Sequence, residues 1–402
     1  MSAADAGAAE LDPRARARLI AALVAGQLGL HASMAGLRLA ASLQALREGA
    51  SAWSVGVLLA LFAAAAMVMA LHSGRLADRH GYHRPVRIAV ALTLGGLVLA
   101  LVACFVTGPA QFLLLCGAAT ISGAGTNMGM LTIQRSAGVL ARDATERMRV
   151  FSWLGIAPSL ANVLGPVAVG FTIDAQGFAA GYALLLALPL ASLLTTRYVP
   201  RLPPQPPAEG GPRSAWNLLA VPPLRRLLAV NWLLSMCWDV HLFAVPVLGH
   251  ERGFSAGTVG LILGAFTLSV TAVRAVIPLV AHRLREVPVV VAAMIGTAAV
   301  FAAYPLAPDA WAMGALAVLL GITLGSVQPM IMSMLHQVTP DARHGEALAL
   351  RSMAINASST LMPLVFGATG AVVGAAALFW AVGGAVGAGS WLAQRLGSTA
   401  RA

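Results

Sequence analysis

The sequence predicts an all-α membrane protein with twelve spanning helices in two pseudo-symmetric six-helix bundles. Three observations predict it. Of 402 residues, 58% are hydrophobic and only 10% charged, against about 25% charged in an average soluble domain. The apolar residues fall into twelve runs, near 17–44, 52–73, 86–107, 109–135, 150–174, 178–197, 224–249, 255–282, 287–307, 310–337, 345–370 and 372–394. Each run is close to the ~20 residues that a helix needs to cross a bilayer. The third observation is an internal repeat between the two halves of the chain.

The first run follows Arg14, Arg16 and Arg18. It is too long for the apolar core of a cleaved signal peptide, so it is read as the first spanning helix. All 26 basic residues are arginine; with 15 acidic residues the formal charge is +11. No basic patch interleaved with aromatics supports a nucleic-acid role. Twenty-two arginines fall in, or flank, the loops of one side, whereas Arg47 and Arg252 fall in loops of the other. Arg38 and Arg274 lie within spans. Arginine gathers on the cytoplasmic side of membrane proteins. The expected protein is therefore multi-pass in the cell inner (plasma) membrane, with both termini cytoplasmic and its outer surface against lipid.

Between the second and third runs the chain reads Gly74-Arg-Leu-Ala-Asp78-Arg79-His-Gly81-Tyr-His-Arg84. Charges this dense do not lie in hydrocarbon, where a central Arg or Asp costs roughly 2.5–3.5 kcal/mol. The stretch is expected as a tight loop on the arginine-rich side. Residues 200–222 hold Pro200, Pro203-Pro204, Pro206-Pro207, Gly210-Gly211 and Pro212. Such a segment stays extended and builds no core. It is read as a cytoplasmic linker joining an N-terminal bundle, 1–199, to a C-terminal one, 223–402.

The repeat is carried by residues in order. Ser51, Ala52, Val55, Gly56 and Phe62 match Ser255, Ala256, Val259, Gly260 and Phe266. Ala77-Asp78-Arg79 matches Ala281-His282-Arg283, and Pro166, Gly170, Gly177 and Tyr182 match Pro363, Gly367, Gly374 and Phe379. A series of this kind argues for two parallel repeats related by an axis along the membrane normal.

Gly74, Leu76, Ala77, Asp78, Arg79, Gly81 and Arg84 together resemble the loop 2–3 signature of the major facilitator superfamily, in particular its twelve-helix drug/proton antiporter branch. The resemblance covers nearly the whole chain. It implies the major facilitator fold and a gating latch in which Asp78 caps the start of helix 11 or pairs with Arg351 or Arg135. Gly155, with Gly165-Pro166 and Gly170, resembles the helix-5 signature of antiporter-type members. Val169 stands where a second glycine is usual. In helix 4, Ala118-Ala119 occupies the region where proton-coupled drug exporters carry a basic residue.

Ionisable residues inside spans are costly and usually face a cavity. His31 lies 13 residues beyond Arg18, and Asp239 lies 13 beyond Arg226. At 1.5 Å per residue both sit about 20 Å from the cytoplasmic end, at matching positions of helices 1 and 7. They are the first candidates for binding substrate or a proton, with Asp239 taking a proton or cationic group and His31 sharing the titration. Three roles are open for Arg274: pairing with Asp239, binding an anionic substrate, or snorkelling to the surface. Asn127, Asn162, Gln328 and Asn356 are further candidates, as cavity lining or as bonds between helices.

Cys104, Cys116 and Cys237 lie in apolar runs without metal-ligand spacing, and neither a metal nor a cofactor is expected. The chain lacks the lysine of a phosphate-cradling loop, a His-Glu-x-x-His pair and a nucleophile elbow, so no enzyme is expected. The expected function is secondary active transport of a small organic molecule by a monomer, most simply proton-coupled efflux. Proton-coupled uptake of a metabolite and a non-transporting sensor on the same fold are the alternatives.

Overall fold

The computed structural model describes residues 12–140, 144–200, 215–280, 284–339 and 344–399. These form twelve long helices, with no strand among the described residues. They are α1 Pro13–Arg47, α2 Ala52–His80, α3 His83–Val102, α4 Pro109–Leu140, α5 Ala144–Gln176 and α6 Phe178–Thr195. There follow α7 Pro222–Glu251, α8 Ala256–Val280, α9 Glu286–Ala303 and α10 Ala310–Val338. The last stretch, His344–Thr399, is broken at Gly374 into α11 and α12. Among the described residues, ten helices are long and apolar enough to cross a membrane. The other two, α4 and α11, are threaded with hydroxyl, amide and glycine residues.

Helix ends follow local chemistry. Pro13 opens α1 where its missing N–H costs nothing, and the Asp12 carboxylate accepts the free amides of Arg14 and Ala15. Asp309 caps α10 through the Ala312 amide at 2.8 Å. Gly177 (φ +85°) and Gly374 (φ +83°) separate α5 from α6 and α11 from α12. Both need the left-handed region that only glycine enters cheaply, and they occupy equivalent places in the repeat.

The stretch expected as a loop between the second and third spans is mostly helix. α2 continues through Gly74–Arg79 to His80, and the turn is only Gly81-Tyr82, with Gly81 at φ +66°. Hydropathy marks where the hydrocarbon stops. Arginine and leucine are good helix formers, so the helix runs on past the end of the apolar run. Tyr82 fastens the turn, being buried among Leu19, Leu23, Val86, Ile133 and Leu140. The expected linker lies largely outside the described residues. Its last part forms a short 3-10 helix, Ala215–Ala220, ahead of α7.

The described residues within Met1–Glu48, Leu61–Glu209 and Ser255–Gly264 form one compact unit; those within Gly49–Ala60, Gly210–Phe254 and Ala265–Ala402 form another. In the first, α1 packs on α4, α5 and α6, and α3 on α4 and α6. In the second, α7 packs on α10 and on the α11–α12 stretch, and α9 on α10 and α12.

The repeat reappears in packing at the paired residues. Gly123 of α4 lies against the Phe62 carbonyl, and Gly321 of α10 against that of Phe266. Gly260 of α8 faces the Pro166 carbonyl of α5, where an added Cβ would stand 2.5 Å from the oxygen; Gly56 of α2 faces the Pro363 carbonyl of α11 in the same way. Gly170 approaches the Ala256 carbonyl (2.6 Å for an added Cβ) and Gly367 that of Ala52 (2.9 Å). Small residues bring backbones together where lipid offers no hydrophobic drive.

Candidate functional site

Within the second unit, α7 is buried along most of its length, including Asn231, Asp239 and His241. Asp239 is only 8% exposed. A carboxylate taken this far from water needs hydrogen-bonding partners. It accepts from Ser358 Oγ at 2.7 Å and from Ser359 Oγ at 3.0 Å, both on α11. Further towards the start of each helix, Arg351 Nε of α11 donates to Asn231 Oδ1 of α7 at 3.1 Å. The two rungs are eight residues apart on α7 and seven on α11, about 11 Å along parallel helices.

Arg274 does not reach for Asp239. Its guanidinium donates to Gln328 Oε1 of α10 at 2.8 Å, and the charge acting on it is that of Arg351. Gln328 and Asn356 are exposed, and the Asn356 carbonyl accepts Thr360 Oγ1 at 2.9 Å. His241 points away from this group. Its ring packs on Phe266 at 4.3 Å and Tyr304 at 5.8 Å, and neither ring nitrogen has a partner among the described residues.

Within the first unit, His31 is half-buried, with Nδ1 3.3 Å from Met130 Sδ. Asn162 and Arg38 are the polar side chains that act on its ring. Arg38 also lies over the Phe62 ring at 5.8 Å. Asn127 is a bond between helices, donating to the Ala66 carbonyl of α2 at 3.0 Å.

The motif residues divide. Arg79 and Arg84 are exposed, and Gly81 makes the turn. Gly74 and Asp78 lie in α2, but their side-chain surroundings, with the latch expected of Asp78, fall outside the described residues. Burial raises the Tyr82 phenol well above its usual range. In α5, Gly165 lies against the Ala32 carbonyl of α1, beside Gly36. Gly155, by contrast, touches no neighbour: an added Cβ there meets nothing within 4 Å.

Sequence reasoning missed two features. Ser358 and Ser359 hold Asp239 from α11, where hydroxyls are too common to draw attention. Asp174, near the end of α5, accepts from the backbone amides of Ala256 at 2.9 Å and Gly257 at 2.7 Å, the first residues of α8. It satisfies donors that a helix start leaves free, from 82 residues away. Its place three residues before a turn glycine was the only available signal.

Twelve helices, a two-fold repeat and polar groups held inside apolar bundles define a polytopic membrane protein. A profile of the Major Facilitator Superfamily matches residues 19–238 and 227–399. The chain belongs to that family. Solved structures share the fold at low identity. A POT family transporter in complex with a thioalcohol-conjugated peptide superposes with a TM-score of 0.77 at 12% identity, over 94% of this chain and 96% of its own. The nucleoside transporter NupG, as a point mutant, gives 0.72 at 14%, over 94% and 99%. A peptide transporter POT, as a point mutant in complex with sulfate, gives 0.72 at 13%, over 94% of each chain. No curated protein sequence matches the chain.

Proposed function

We propose that this protein exports a small organic molecule from the cell in exchange for protons, by alternating access, as a monomer in the inner (plasma) membrane. Asp239 carries the reading. It is a buried carboxylate on a spanning helix, held by two serine hydroxyls. A hydroxyl donates to an ionised carboxylate and accepts from a protonated one. Asp239 can therefore gain and lose a proton without repacking α7 against α11. His31, at the matching place in the first repeat, shares the titration. The Gly165-Pro166 and Gly170 pattern favours export over uptake. The solved neighbours are named for peptides and a nucleoside, which supports a small organic solute. Bundles at 1–199 and 223–402, cytoplasmic termini and an Asp78 latch complete the proposal.

The test uses everted membrane vesicles loaded acid inside and offered a panel of fluorescent organic solutes. An exporter accumulates its substrate in these vesicles, and Asp239→Asn abolishes the accumulation while the protein still inserts. Unchanged accumulation and pH dependence in Asp239→Asn refute the assignment. Accumulation in intact cells, driven by an inward proton gradient, shows uptake instead.

A further inference from the structure

We propose that Arg274 and Arg351, with Asn231 and Gln328, form a binding site for an oxyanion, a carboxylate or phosphate group carried by the substrate. The site extends the transport reading by naming the substrate's chemical class. It stands about 11 Å along the bundle from the Asp239 rung.

The geometry begins with depth. Arg351 lies seven residues after the start of α11, and Asn231 nine after the start of α7. Arg274 lies six residues before the end of α8, and Gln328 ten before the end of α10. Successive helices reverse direction, so these four ends share one side of the unit. At 1.5 Å per residue all four side chains sit about 9–15 Å inside it. They are linked in pairs, Arg351 to Asn231 and Arg274 to Gln328; α7, which carries Asn231, packs on both α10 and the α11–α12 stretch, and the Arg351 charge bears on Arg274.

The chemistry of the cluster is one-sided. A guanidinium only donates, so Asn231 and Gln328 must turn their oxygens to the arginines. That leaves Asn231 Nδ2 as a buried donor without a partner among the described residues, and Arg274 Nε as a second. Among the described residues no carboxylate pairs with either arginine. Two permanent positive charges and two unfilled donors stand together in a spanning segment, where an unpaired charge is costly. Each arginine presents a planar fork suited to a carboxylate or phosphate. One bound oxyanion would neutralise the repulsion and fill the free donors at once. A purely structural role does not account for the missing acceptors, because a neutral residue at 274 or 351 would pack here without them.

The test is a thermal melt of the purified full chain in neutral detergent, titrated with sodium phosphate or sodium acetate at constant ionic strength set by sodium chloride. Wild type is expected to show a saturable rise in melting temperature. Arg274→Gln and Arg351→Gln should each weaken the apparent affinity about tenfold or more, the loss expected for one charge-assisted contact. Each variant should also melt above wild type when no oxyanion is added, because one of two like charges is gone. A wild type without a saturable rise, variants that keep it, or variants that melt below wild type without oxyanion overturn the site. In nanodiscs, a shift that appears only when phosphatidylglycerol replaces phosphatidylcholine, and never with soluble phosphate or acetate, identifies a lipid headgroup and overturns the assignment to substrate. Binding is read without flux. If no solute is transported but the phosphate titration behaves as described, the transport reading fails and the site stands.

Discussion

Asp174 offers the most direct test of the packing between α5 and the start of α8. Its carboxylate accepts the amides of Ala256 and Gly257 at 2.9 and 2.7 Å, and both residues are buried. Replacing an N-capping acid by alanine costs about 1 kcal/mol, within a range of roughly 0.5–2. A negative charge at a helix N-terminus adds roughly 0.3–1 kcal/mol. Because two amides lose their partner together, Asp174→Ala should cost about 2 kcal/mol. Asp174→Asn keeps an acceptor for one amide and loses the charge, so about 1 kcal/mol is expected. For a cooperative unit of roughly 150–250 residues, each kcal/mol lowers the melting temperature by about 2–4 °C. Alanine should therefore cost about 4–8 °C and asparagine about half that. Hydrogen exchange gives the local readout: the amides of Ala256 and Gly257 should exchange faster in the alanine variant while the middle of α8 is unchanged. Gly257→Ala should act alike, since its Cβ would stand 2.5 Å from Asp174 Oδ2. Identical melting of wild type and Asp174→Ala, with unchanged exchange at these two amides, would refute the reasoning.

Three further outcomes are expected from the same packing. Gly165→Ala drives a methyl into the Ala32 carbonyl and should destabilise by about 1–3 kcal/mol, whereas Gly155→Ala meets open space and should be neutral or gain up to about 1 kcal/mol of helix propensity; melting temperatures of the pair decide. Gly56→Ala and Gly260→Ala each push against a proline carbonyl one helix away and should lose similar stability, so a large difference between them would count against equivalent repeats. Ser358→Ala removes one of the two serine bonds to the Asp239 carboxylate and should cost about 1.5–3 kcal/mol, the contribution of a hydrogen bond to a charged group, whereas Ser358→Thr keeps the hydroxyl and should recover most of it.

The fold was legible because lipid leaves few choices. Apolar runs of about twenty residues must be helices, and the paired glycines and prolines mark where backbones meet. Gly56 with Pro363 and Gly260 with Pro166 carry the same contact in the two units, as their places in the repeat suggest. Helix ends were less legible. Hydropathy reports the edge of the hydrocarbon, and α2 continues past it to His80. Polar positions were legible in kind and not in partner. Asp239 and His31 stood out as ionisable groups in apolar runs, yet the serines that hold Asp239 lie 119 and 120 residues away.

The acidic residues singled out above, Asp174 among them, share a property. They break the symmetry that the packing glycines keep. Asp174 is four residues beyond Gly170, and the residue four beyond Gly367 is Ala371; Asp78 has His282 at its matching place, and Asp239 has His31. A contact that only packs can be duplicated with the repeat, because both copies meet the same neighbours. A charge that must bind, hand over a proton or hold one helix start gains nothing from a second copy at its symmetry mate. On the proposed function, ionisable residues that depart from the repeat are the places where the two halves do different work. The arginines fit this pattern: the position in α2 that matches Arg274 is Ala70, which carries only a methyl. Ala70→Arg should therefore add no second oxyanion site, since phosphate would stabilise the variant with the same single saturable shift as wild type; two separable binding phases would show that the first unit holds the same framework and that symmetry, not its breaking, governs the site.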